Sequence, residues 1–105
     1  MNHFSKLEPF PLGAIHAEGF IKDQMLLGKD GMAGHLYELE PGMIADPFIN
    51  KTYVKRWGDG DQSGWGAEIS GNYWTGYIEH AFVLNDKDMI SRATEWVDTM
   101  MKKQR

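Results

Sequence analysis

Residues 57–68, WGDGDQSGWGAE, hold the side chains of this chain best suited to chemistry. Trp57 and Trp65 offer flat apolar faces, and Asp59, Asp61 and Glu68 offer hydrogen-bond acceptors. The glycines between them let backbone approach a ligand closely. A sugar presents apolar C–H faces and a rim of hydroxyls, so this vocabulary suits a carbohydrate. An equally weighted reading is a structural Ω-loop whose Trp side chains pin it to the core. Asp59 and Asp61 also begin an EF-hand-like pattern, but its later glycine and closing glutamate do not fit, so calcium is not expected.

Next in order come Tyr73 and Glu79, on a following apolar run, GNYWTGYIEHAFVL at 71–84. In a ring of helical hairpins, where one end of each inner helix faces the cleft, their polar tips can reach a ligand. For the neighbouring Trp74 and Tyr77, burial with the N–H and O–H satisfied is the favoured reading. A carboxylate on so apolar a run must be paired, protonated or functional, and a pair with Arg92 or a lysine is the plainer account of Glu79. The candidate substrate-binding residues are therefore Trp57, Trp65, Glu68, Tyr73 and Glu79.

Other chemistries are poorly served. His16, His35 and His80 are dispersed and form no H-x-x-x-H or H-E-x-x-H pair, and the chain has no cysteine, so no metal site is expected from this chain. Glu38 with Glu40, or Asp59 with Asp61, are carboxylate pairs by adjacency alone, which does not make a glycosidase acid–base pair. Gly28, Gly31 and Gly34 follow no strand, so they are not a phosphate-binding fingerprint. The net charge of −4 argues against nucleic acid, and the basic cluster Lys102, Lys103 and Arg105 suits a helix C-terminus. No apolar run approaches the ~18 residues of a membrane span. The opening MNHFSKLEPF lacks the apolar core of a signal peptide, which fits a cytoplasmic protein or a mature secreted or periplasmic one.

The elements that must position these residues read as all-α. Pro9 and Pro11 mark residues 1–16 as an extended arm. Residues 17–40 are helical, interrupted around Gly28, Gly31 and Gly34, where the chain either breaks or crosses another helix closely. Residues 41–70 are irregular, a length that favours a functional loop. A helix over 71–84, apolar nearly all round, is expected to be buried. Asn85 ends it and Asp86 caps a second helix. There Met89, Ile90, Ala93, Trp96, Val97, Met100 and Met101 form one apolar stripe. So short a turn makes the two antiparallel neighbours. The companion covers only one side of 71–84, so 1–105 reads as a single partial domain whose core is completed by self-association or by further chain.

The runs PLGAIHAEGFIKDQMLLGKDGMAGHLYEL (11–39) and SGNYWTGYIEHAFVLNDKDMISRATEWVDTMMKKQ (70–104) together resemble the amino-terminal region of bacterial β-L-arabinofuranosidase-like glycoside hydrolases. The G-x-Y-W-x-G-x-x-E-H-A start and the LNDKDMI turn are typical of six-hairpin toroids in general, and the amino-terminal run narrows the likeness to this family. The resemblance implies helical hairpins from the first part of an (α/α)6 toroid. It implies a parent glycoside hydrolase acting on arabinofuranose-containing plant-type polysaccharides. The family's catalytic glutamate, cysteines and zinc ligands lie downstream of what this chain matches. The chain is therefore expected to contribute part of the substrate cleft and to be inactive alone. The alternative from the residues themselves is a small helical sugar-binding or protein-interaction module without catalysis.

Overall fold

Which of these residues form helices is decided first by local chemistry and then by what each helix can bury. The structure, a computed structural model, describes residues 6–39 and 65–103. Those residues form helices and connecting turns, with no strand among them. Helix α1 spans Gly19–Asp30, α2 Met32–Leu39, α3 Trp65–Leu84 and α4 Lys87–Lys103.

The α3–α4 hairpin is built as its sequence dictates. Asn85 takes the left-handed conformation that ends a helix, with φ 51°. Asp86 then caps α4, its Oδ1 accepting from the Met89 N–H at 3.0 Å. Asp88 sits in the first turn and Lys102 and Lys103 in the last, matching the helix dipole at both ends. Met89, Ala93 and Trp96 are buried on the expected stripe, with Ile90, Val97 and Met100 half-buried beside them, while Met101, expected at its end, is exposed because the last turn of α4 runs past the core.

Helix α3 departs from expectation twice. It begins at Trp65, six residues before the expected start at Gly71, so the end of the supposed irregular stretch is helical. The added turn carries Ser70, which is fully buried, so tertiary burial outweighs the poor helix propensity of Gly66 and Gly71. Nor is α3 buried all round. Ser70, Trp74, Tyr77 and Ala81 form one buried stripe at i, i+4, i+7, i+11, while Asn72, Thr75, Gly76 and Glu79 face solvent.

The amino-terminal half lies across this hairpin. Residues 6–18 hold no helix, as expected of the arm, and turn once. The Ala14 N–H donates to the Pro11 carbonyl at 3.0 Å. Gly13 there has φ 87°, the sign that the third residue of a type II turn requires. Farther along, the Ala17 N–H donates to the Val83 carbonyl at 2.9 Å, fixing the arm to the end of α3. The helical region expected over 17–40 is two helices broken at Gly31. The junction is tight, because Gly34 is buried and a Cβ there would collide with the Lys29 backbone carbonyl.

Packing is uneven. The core is Trp74, Tyr77, Ala81, Met89, Ala93 and Trp96, and α2 adds Leu36 and Tyr37 at its edge. Helix α1 contributes no buried residue. The large apolar side chains left open belong mostly to the arm and α1: Leu7 is 83% exposed, Phe10 76%, Phe20 77% and Leu27 66%. The open apolar surface expected on the 71–84 helix therefore lies elsewhere, because α2 and the arm lie against much of α3.

Candidate functional site

A ligand site needs polar groups that converge, and polar groups converge where α2, α3 and α4 meet. Its base is aromatic. Trp74 stacks on Trp96 with ring centroids 4.7 Å apart and planes 14° from parallel. Tyr77 meets Trp74 edge-on at 5.1 Å, and Tyr37 meets Tyr77 edge-on at 6.1 Å. Such geometries suit the ring quadrupole and hold the side chains rigid. Each ring comes from the inward stripe of its helix, so the spine follows directly from the i, i+4, i+7 spacing.

A polar rim tops this base. The Arg92 guanidinium carbon lies 4.8 Å from the centre of the Tyr37 ring, a cation–π contact. The Tyr37 hydroxyl donates to Glu38 Oε1 at 2.6 Å, and His35 Nδ1 lies 3.1 Å from Glu38 Oε2. These two donors, Tyr37 first, hold the Glu38 carboxyl below its ordinary range. Burial, then the Glu38 contact, drives the Tyr37 hydroxyl well above its ordinary value. The Tyr77 hydroxyl is buried and makes no well-formed hydrogen bond among the described residues. It nonetheless lies near enough to Arg92 to be the main cause that raises the guanidinium pKa.

The residues singled out from sequence do not gather here as a set. Tyr73 is half-buried, and its hydroxyl donates to the Ala33 carbonyl at 3.0 Å, tying α3 to α2. Burial pushes that hydroxyl up to about 12. Glu79 is exposed on the opposite side of α3. The expected pair with Arg92 is not formed, because Arg92 sits over Tyr37 beside the Tyr77 hydroxyl. The ion pairs among the described residues are instead Lys29–Asp86 and His35–Glu38. Trp65 and Glu68 occupy the first turns of α3, and Trp57, Asp59 and Asp61 lie outside the described residues.

Two features escaped the sequence reading. Arg92 joins the aromatic rim, and His80 reaches the Met25 carbonyl oxygen at 2.6 Å. A carbonyl only accepts, so His80 Nε2 carries the hydrogen. The one sequence signal for either was a polar residue beside an apolar stripe, which says nothing of its partner.

No group of three or more His, Asp and Glu side chains among the described residues is placed to hold a metal ion. The zinc implied by the family resemblance therefore has no ligand set in the described part of this chain. Among the described residues no helix is long and apolar enough to cross a membrane. In comparisons with known proteins, no family model, no curated protein and no solved structure matches the chain.

Proposed function

We propose that this chain is a helical part of a glycoside hydrolase acting on arabinofuranose-containing plant-type polysaccharides, supplying part of the substrate cleft but not the catalytic residues. Substrate class and activity rest on the resemblance of 11–39 and 70–104. The observation that supports a partial domain is one of packing. The hairpin builds an aromatic core on one side, while the arm and α1 turn Leu7, Phe10, Phe20 and Leu27 to solvent. Large apolar side chains left open where they gather into one patch mark a face that other structure covers. In this reading the remaining hairpins of a toroid cover it.

The ligand-facing share would come from residues 57–68 together with the start of α3, where Trp65 and Glu68 sit one turn apart or less. The direct test is titration of the pure chain with arabinofuranosyl oligosaccharides, read by tryptophan fluorescence and amide chemical shifts. The reading expects saturable changes that Trp65→Ala abolishes and that glucan oligosaccharides do not produce. A flat response across a broad glycan panel would overturn the cleft assignment.

The second reading, a protein-interaction module without catalysis, is favoured by the same open face on the arm and α1. It expects no glycan response, together with a mass in solution above 12.0 kDa that Phe20→Glu with Leu27→Glu returns to monomer.

A further inference from the structure

Helix α1 is built the wrong way round for a helix held by a core. An amphipathic helix ordinarily turns its apolar stripe inward and its polar face to water. Here Phe20 and Leu27, seven residues apart and on one face, are exposed, as are Ile21 and Leu26. No residue of α1 is buried. What faces the hairpin is polar. The Lys29 ammonium pairs with the Asp86 carboxylate in the turn between α3 and α4. His80 of α3 donates to the Met25 carbonyl at 2.6 Å. Upstream, the Ala17 N–H of the arm donates to the Val83 carbonyl at 2.9 Å.

The neighbouring α2 is attached differently. Its Tyr37 packs on both Trp74 and Tyr77, its Leu36 lies against the core, and the Ala33 carbonyl accepts from Tyr73. The boundary between the two modes of attachment is Gly31. This glycine ends α1 with its N–H turned back to the Leu27 and Gly28 carbonyls.

We propose that the arm and α1 form a strap, fastened to the α3–α4 hairpin by the Lys29–Asp86 pair, the His80–Met25 bond and the Ala17–Val83 bond, that lifts as a unit about Gly31 while α2 stays docked. Segments with few buried apolar contacts open at the low end of a protein's range of local stabilities. The strap meets that description and the hairpin does not. Lifting releases these three contacts and bares the His80 side of α3 without disturbing the Trp74–Trp96 stack. The fastening is electrostatic in part. Lys29 faces three carboxylates, Asp86, Asp30 and Asp88, so losing Asp86 leaves the ammonium in a negative field but removes the partner that ties α1 to the turn. The inference rests on the contacts of this chain and not on the glycosidase reading.

Amide hydrogen exchange of the full chain, resolved by peptide or by residue, tests it. In the unaltered protein the α1 amides should exchange at least about 100-fold faster than those of Ala93 and Trp96, as expected of a sub-global opening. Lys29→Met should speed exchange in α1 by about another tenfold, the scale of a lost charge-assisted bond, and speed α3 and α4 by no more than that, because global unfolding breaks the pair too. Asp86→Asn keeps an oxygen to cap Met89 and should act the same way, so that loss of the cap is not mistaken for loss of the staple. The strap is wrong if α1 is protected as well as α4 in the unaltered protein, or if both variants leave α1 exchange unchanged.

Discussion

Replacing Gly34 by alanine and, separately, Gly76 by alanine makes one chemical change at two helical positions, and the structure assigns the two opposite signs. Gly76 lies mid-helix in α3, exposed, and a Cβ there would meet nothing within 4 Å. Glycine in a helix interior is about 0.8–1.0 kcal/mol less favourable than alanine, so Gly76→Ala should stabilise the chain by up to that amount. Gly34 lies in α2, buried, and a Cβ there would collide with the Lys29 carbonyl oxygen and carbon, which are backbone and cannot swing aside. Overpacking of this kind costs about 1–3 kcal/mol even after relaxation, and the propensity gain offsets less than half of the upper figure. The net expectation is a loss of up to about 2 kcal/mol for Gly34→Ala, and a gap of roughly 1–3 kcal/mol between the variants. At about 4–8 °C per kcal/mol for a domain near this size, thermal midpoints should diverge by several degrees in opposite directions from the parent. Urea denaturation followed by far-ultraviolet circular dichroism gives the same comparison at 25 °C. A Gly34→Ala protein as stable as the Gly76→Ala protein would refute the tight packing of Gly34 on the Lys29 carbonyl.

Three further outcomes follow from the geometry. Trp96→Ala removes half of the stacked pair and should cost about 3–5 kcal/mol, close to the whole stability of a small domain, so loss of the cooperative urea transition is the expected reading. The Asp86 carboxyl is held low, chiefly by Lys29, so its stabilisation is present above the unfolded carboxyl value near ~3.9 and is lost as pH falls through the lower folded value. Lys29→Met should therefore flatten the fall in urea midpoint between about pH 5 and pH 2, and an acid limb as steep as the parent's would count against the pair. Finally, the chain alone should not hydrolyse aryl arabinofuranosides, and turnover above buffer by pure, metal-replete protein would contradict the cleft-only reading.

What could be read from the sequence was what is settled within a few residues. Asn85 ending one helix and Asp86 capping the next are local chemistry, and the stripe from Met89 is local periodicity, which holds to Met100 but not to Met101. The extent of α3 was not legible, because Gly66 and Gly71 weigh against helix while the burial of Ser70 beneath the other elements, a tertiary fact, weighs for it. The partner of Arg92 was misjudged for a related reason. Proximity along the hairpin suggested Glu79, but the ring that takes the guanidinium comes from α2, outside the hairpin. Of the proposed site, Tyr73 is engaged with Ala33 and Glu79 faces away from it, so only the 57–68 segment with the start of α3 remains to carry the sugar reading.

The apolar pattern itself was read rightly and placed wrongly. Residue types along 71–84 record how apolar a helix is, not which neighbours cover it. In the fold, Trp74, Tyr77 and Ala81 take the covered side, and Ile78, Phe82, Val83 and Leu84 are half-covered by what lies across them. Gly13, for instance, approaches the Phe82 ring closely enough that a Cβ would stand 3.4 Å from it. Covering α3 in this way turns Phe20 and Leu27 outward, because α1 meets the hairpin through a backbone carbonyl and a lysine. The deficit of cover that the sequence implies is thus moved from α3 to the arm and α1. An association that completes the fold should accordingly respond to Phe20→Glu and Leu27→Glu, and not to Asn72→Glu or Thr75→Glu on the exposed side of α3. Sedimentation of the four variants at micromolar concentration separates the two faces, and sensitivity confined to the α3 pair would return the interface to that helix.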